Sequence, residues 1–174
     1  NEDDSNSGRA ICQKTWAQRL ELQPELVSSA DEQLLMLVPF TGQVRLHSIL
    51  LRTSDSESCP KTLKVFANFG EDMDFDTASE KQPTQTFEIA RTNEIQEILV
   101  KRVHFNNTRS LALFFEDNWS HGEEDETRIT YLAFKGDFMK LNKEPVSVLY
   151  EAAANPADHK AIAGVKEGLG RGVQ

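Results

Sequence analysis

Two thiols, Cys12 and Cys59, and four imidazoles, His47, His104, His121 and His159, are the side chains through which this chain of 174 residues could do nucleophilic, redox or metal chemistry. A dithiol redox site needs one thiolate to attack and a near neighbour to resolve, normally as Cys-x-x-Cys, and neither cysteine has such a partner. A zinc centre needs clustered Cys and His or a His-Glu-x-x-His helix, and the histidines are scattered. His47 alternates with Arg45 and reads as a sheet-face residue. The chain also lacks a nucleophile elbow, a phosphate-cradling glycine loop and a dinucleotide fingerprint. Carboxylates are abundant, but acid–base catalysis needs two in a shaped cleft with separated pKa values, and no pair stands out. The expectation is two ordinary reduced thiols, no catalytic residue, no metal and no cofactor. A thiol enzyme built on Cys12 or Cys59 would need an accessible thiol of depressed pKa.

The densest charge runs from Glu116 through Asp117, Asn118, Trp119, Ser120, His121, Gly122, Glu123, Glu124 and Asp125 to Glu126. Calcium takes six to eight oxygens in a flexible loop, but this stretch lacks the alternating acidic spacing of an EF-hand. A solvated acidic loop used for interaction is the better reading. Trp119 sharpens it, because tryptophan is favoured as an interface anchor; the competing reading folds the indole back over the edge of the domain. Asp117, Trp119, Glu123, Glu124 and Asp125 are therefore the expected partner-binding residues.

Charge excludes more than it proposes. Nineteen Lys and Arg against 28 Asp and Glu leave a net charge of −9. Such a chain lacks the electrostatic term behind most nucleic-acid affinity. No apolar run approaches the roughly 18 residues of a membrane helix. Two cysteines cannot staple a disulfide scaffold. The opening Asn1-Glu2-Asp3-Asp4 has no Met and no basic-then-apolar leader, so the sequence reads as a fragment or processed piece of an intracellular protein. In that setting the sequons at Asn106 and Asn118 are chance matches.

The elements that must position these residues are mostly short strands. Residues 1–27 read as an irregular N-terminal segment, with at most a helical turn over 14–20 before Pro24. Apolar or alternating runs predict strands at 34–40, ending at Pro39 before a Thr41-Gly42 turn, and at 44–51, 62–68 and 86–89. Others are expected over 95–105, with an irregularity near Lys101-Arg102, and over 110–115, 127–134 and 146–150. Residues 69–83 read as a long acidic connection, and Glu151–Ala154 as a weak helix cut by Pro156. Eight short strands with almost no helix predict an all-β fold, an antiparallel β-sandwich of jelly-roll type. The domain is expected over 28–155, followed by a glycine-rich flexible tail over 156–174.

Several strings resemble the PITH domain, the module named for the C-terminal part of a proteasome-interacting thioredoxin. They are Ser28-Ser29-Ala30-Asp31-Glu32-Gln33-Leu34-Leu35 closing on Val38-Pro39-Phe40, Pro60-Lys61-Thr62-Leu63-Lys64-Val65-Phe66, Met73-Asp74-Phe75, Pro83-Thr84-Gln85-Thr86-Phe87, and Thr127-Arg128-Ile129-Thr130-Tyr131-Leu132 with Phe134 and Gly136. The ending Tyr150-Glu151-Ala152-Ala153-Ala154-Asn155-Pro156 resembles stand-alone PITH-domain proteins. The resemblance implies a galactose-binding-like jelly roll and a cytoplasmic and nuclear protein acting by binding, with the 26S proteasome as leading partner. Redox activity is not carried over, since no thioredoxin domain or Cys-x-x-Cys lies in the chain. A monomeric protein-interaction module is the primary expectation. A small-ligand or carbohydrate-binding module is the alternative, with Trp16, Trp119 and Tyr150 as the available platforms.

Overall fold

The computed structural model describes residues 7–70 and 72–139. In chain order the elements are α1 (Gly8–Gln13), a 3-10 turn (Trp16–Gln18), β1 (Leu26–Val27), β2 (Leu34–Arg52), β3 (Pro60–Ala67), α2 (Phe75–Glu80), β4 (Gln85–Glu88), β5 (Gln96–Leu99), β6 (Thr108–Asn118), β7 (Arg128–Ile129) and β8 (Tyr131–Met139). Every strand pairing among the described residues is antiparallel, and the expected all-β sandwich is what the chain forms. The strand expected at 146–150, the helix at 151–154 and the tail over 156–174 lie outside the described residues.

β2 departs most from its sequence. Pro39 and Thr41-Gly42 predict a stop and a turn, yet the backbone stays extended across 19 residues. The break becomes a register shift between Pro39 and Val44. Gly42 serves close approach instead: a Cβ there would come within 2.7 Å of the Phe138 ring. Leu34–Pro39 pairs with β6, Gln43–Arg52 pairs with β8, and Ser48–Leu51 also pairs with β5. One strand thus belongs to two leaves, β4-β3-β6-β2 and β5-β2-β8.

A second irregularity sits at His47, where the β2–β8 register slips between Leu46 and Ser48. The extra residue returns Leu46, Ile49 and Leu51 to the inside, all fully buried. Opposite the slip stands Gly136, where any Cβ would collide with the Arg45 carbonyl oxygen. His47 Nε2 points outward, 3.1 Å from Asp137.

The leaves close on one core containing Leu34, Met36, Leu63, Val65, Leu113 and Phe115 from the first and Leu46, Ile49, Leu51 and Leu132 from the second. β6 buries its other face too. Ala112 and Phe114 pack with Phe66, Met73 and Ala78 in a separate cluster, which explains the unbroken apolar run 111–115. The cover is α2, inside the connection expected to be acidic loop. Asp74 caps it by accepting from the Thr77 amide at 2.8 Å. The Thr77 hydroxyl and amide hold the Asp74 carboxyl below its usual range. Phe75 meets Phe114 edge to face, with centroids 6.2 Å apart.

Residues 7–27 are more ordered than expected. Ile11 of α1 is fully buried in the main core, and β1 pairs with β7. Lys14 is buried, and its ammonium donates to the carbonyls of Glu21 at 2.9 Å and Thr130 at 2.7 Å. Desolvation lowers its pKa. The Arg52 guanidinium donates to the Leu20 and Asn93 carbonyls. Two buried cations thereby tie the N-terminal segment to β2 and the β7–β8 junction, and the packed domain begins before residue 28.

Candidate functional site

The first residues of the acidic stretch belong to β6. Glu116 pairs with Lys64 at 2.7 Å. Asp117 accepts from the Thr62 amide at 2.8 Å, beside the irregular register between β3 and β6. Its carboxylate supplies an acceptor that the slipped ladder lacks.

Asn118, the last residue of β6, organises the loop beyond it. Its side chain is buried; Oδ1 accepts from the Ser120 amide at 3.0 Å and hydroxyl at 2.6 Å. Its Nδ2 donates to the Glu124 carbonyl at 2.8 Å and the Glu126 carbonyl at 3.2 Å. The Ser120 hydroxyl oxygen in turn accepts from the Glu124 amide at 2.9 Å. One amide side chain therefore stands in for the backbone partners that a loop otherwise lacks. The turn at the tip uses positive φ at His121 (58°) and Gly122 (88°). Thr127 closes the loop, its amide donating to Ser28 Oγ at 2.8 Å and its hydroxyl to the Glu32 carbonyl at 2.6 Å.

Trp119 folds inward. Its indole N–H donates to the Ile89 carbonyl at 3.0 Å, its ring packs against the main core, and the Lys61 ammonium sits 5.3 Å from the ring centroid. Of the five residues expected to meet a partner, Asp117 and Trp119 hold the loop in place. Glu123, Glu124 and Asp125 are exposed at its tip, without an ion pair among the described residues. Glu126 is drawn aside to Arg128, which also binds Glu25 at 3.0 Å. Sequence reasoning missed Asn118 and Ser120 as the organising pair. The usable signal was a short amide and a hydroxyl two apart at a strand end, the pattern of a side chain completing a turn.

The thiols are quiet. Cys59 is buried, touches Thr53 Oγ1 at 3.2 Å, and burial pushes its pKa up. Cys12 is on the surface of α1, but the protein crowding its sulfur pushes it up to about 11. Neither thiol supplies a thiolate near neutral pH. Among the described residues no three His, Cys, Asp or Glu side chains converge on a metal position. Of the aromatic platforms, Trp16 is exposed with Arg19 stacked 4.3 Å from its centroid, the Trp119 indole is engaged, and Tyr150 lies outside the described residues.

The fold and the sequence both have counterparts among known proteins. A PITH domain profile matches residues 1–154, including the N-terminal segment that carries Ile11 and Lys14. A PITH domain-containing protein of Schizosaccharomyces pombe is 38% identical over 165 residues, covering 93% of this chain and 78% of that protein. The human PITH domain-containing protein 1 is 35% identical, covering 92% and 74%. A Drosophila melanogaster PITH domain-containing protein is 36% identical, covering 100% and 80%. Among solved structures, the C-terminal domain of a chitobiase from Bacteroides fragilis matches with a TM-score of 0.54 at 14% identity, over 78% of this chain and 85% of that one, a likeness of fold alone. With its sandwich, its ordered N-terminal segment and relatives of this identity across most of its length, the chain belongs to the PITH domain family.

Proposed function

We propose that this chain is a non-catalytic interaction module that docks, as a monomer in cytoplasm and nucleus, on a large protein assembly, with the 26S proteasome as the leading candidate. The observation that carries the reading is the tip of the β6–β7 loop. Three adjacent carboxylates, Glu123, Glu124 and Asp125, stand exposed on a loop whose base is fixed by Asn118, Trp119 and Thr127. A fixed loop loses little conformational entropy on binding, so its charges are available for recognition at low cost. Such a surface suits a basic face on the partner and speeds encounter with it. The raised thiol pKa values and the resemblance to proteasome-interacting thioredoxins support a binding role without redox chemistry.

The test is affinity purification from cell extract with the full chain, with a chain lacking residues 151–174, and with Glu123→Lys/Glu124→Lys/Asp125→Lys. Proteasome subunits should be recovered with the parent and lost with the charge-reversed variant. Recovery of none with either parent or shortened chain would remove the proteasome reading. Equal recovery with the charge-reversed variant would remove the loop as the docking element.

A further inference from the structure

A second surface lies at the opposite end of β6 from the acidic loop. Between Glu97 and Glu116 the chain has no carboxylate, while Lys101, Arg102 and Arg109 bring three positive charges to a protein of net charge −9. All three are exposed, and none has an ion pair among the described residues. Val103 at 80% and Leu99 at 71% exposure are the most exposed large apolar side chains among the described residues. The turn that carries them is fixed from below. Val100 and Phe105 are buried in the main core, and the four residues between them are exposed. The Val100 amide donates to the His47 carbonyl at 3.1 Å, and the Leu46 amide donates to the Phe105 carbonyl at 3.0 Å. The Lys101 amide donates to the Gln85 side-chain oxygen at 2.9 Å. Two successive turns close the peptide between these anchors, the His104 amide donating to the Lys101 carbonyl at 2.9 Å and the Phe105 amide to the Arg102 carbonyl at 3.2 Å. β5 and β6 share one edge of β2 and β8 takes the other, so the turn between β5 and β6 lies on the edge away from β8.

Aliphatic side chains held out between cations select among occupants. Protein hot spots favour Trp, Tyr and Arg in closely packed pockets and under-use Leu and Val. The boundary of a lipid bilayer takes the combination found here: aliphatic side chains enter the acyl region while Lys and Arg stay among the phosphates. We propose that the turn over 99–104 is a peripheral docking surface for the anionic face of a membrane. Leu99 and Val103 enter the interface, and Lys101, Arg102 and Arg109 pair with acidic headgroups. Each cation adds to the attraction, which decays within a Debye length of the surface. The net negative charge of the chain does not oppose this at close range. Glu97, the nearest preceding carboxylate, is engaged by Ser48 Oγ at 2.8 Å and by the Lys135 ammonium at 3.2 Å. The acidic tip at Glu123, Glu124 and Asp125 lies beyond the 11 residues of β6, about 35 Å of strand. Physiological salt screens exposed charges beyond about 8 Å. A domain with opposite charges at the two ends of one strand can hold a basic protein face at one end and an acidic lipid surface at the other. The site goes beyond the acidic-loop reading and does not depend on it.

The test is sedimentation of the full 174-residue chain with phosphatidylcholine vesicles that contain either no phosphatidylserine or about 30% of it. At about 0.1 M salt the affinity for the anionic vesicles should exceed that for the neutral ones at least tenfold, and about 0.5 M salt should remove most of the difference. Lys101→Glu/Arg102→Glu should abolish the association. Leu99→Ser/Val103→Ser should weaken it at least threefold. Both variants should melt like the parent, because the altered side chains are exposed. Val103→Trp should strengthen the association, and its added fluorescence should shift to the blue with anionic vesicles and not with neutral ones. Equal sedimentation with neutral vesicles, sedimentation with neither, or binding unmoved by these substitutions would each overturn the proposal. So would binding of a polyglutamate peptide at the turn without vesicle association, which would assign the turn to an acidic protein. Proteasome recovery with Lys101→Glu/Arg102→Glu should equal that of the parent, so failure of either surface is read separately.

Discussion

The two acidic connections, 69–83 and 116–126, look alike in sequence and behave oppositely in the structure. The first carries a capped helix whose Ala78 is buried, as is Met73 just before it, and whose Phe75 meets Phe114, so its charge rides on the outside of a hydrophobic seal. The second is a loop with one large apolar residue, Trp119, and its order comes from Asn118 and backbone carbonyls. A charge run therefore says nothing of what holds it. Apolar residues in the first half of 69–83 give a helix a face to bury. A lone tryptophan after an Asn gives a loop an anchor.

The contrast should break furthest with Phe114→Ala, which empties the cluster under α2. Urea unfolding should show a loss of about 4 kcal/mol, the usual range for a buried aromatic truncated to alanine. Asn118→Ala should cost about 3 kcal/mol, because two carbonyls and the Ser120 groups lose their partner in a largely buried place. Amide exchange should accelerate over 119–126 and leave α2 unchanged, the reverse of the Phe114 variant. Glu123→Lys/Glu124→Lys/Asp125→Lys should shift stability by less than about 0.5 kcal/mol, as exposed substitutions do, while removing partner recovery. The smallest effect should be the pH dependence of the α2 cap. The folded Asp74 carboxyl titrates below its ordinary 3.8, so its contribution is fully present above that value and is lost as pH falls through the lower folded value. The stability difference between the parent and Asp74→Asn should therefore be constant from pH 7 to about 5 and disappear in stronger acid.

Much of the architecture is legible in the sequence because alternation is local. Leu63, Val65 and Phe66 announce β3, and Ile129, Tyr131 and Leu132 announce the β7–β8 region, without knowledge of their partners. β2 is not legible as one strand. Pro39 and Gly42 are breakers by any local rule, and the reason they do not break it lies in Phe138, which is distant in sequence and packs over Gly42. The burial of Lys14 is hidden for the same reason, since its acceptor at Thr130 is supplied by a segment far along the chain. At the candidate site the charges of Glu123–Asp125 can be read directly, but not the inward turn of Trp119, which depends on the Ile89 carbonyl.

The double membership of β2 also sets a timetable. Its partners β5, β6 and β8 all come later in the chain, the last ending at Met139. A ribosome that has just released Arg52 must still add most of the domain before Leu46, Ile49 and Leu51 can be enclosed, a delay of about 5–20 s at ordinary rates of synthesis. During that interval a nascent chain presents a long, apolar, edge-competent strand to its surroundings. The strand shared by two sets of partners thus keeps its inward face uncovered until β8 has emerged.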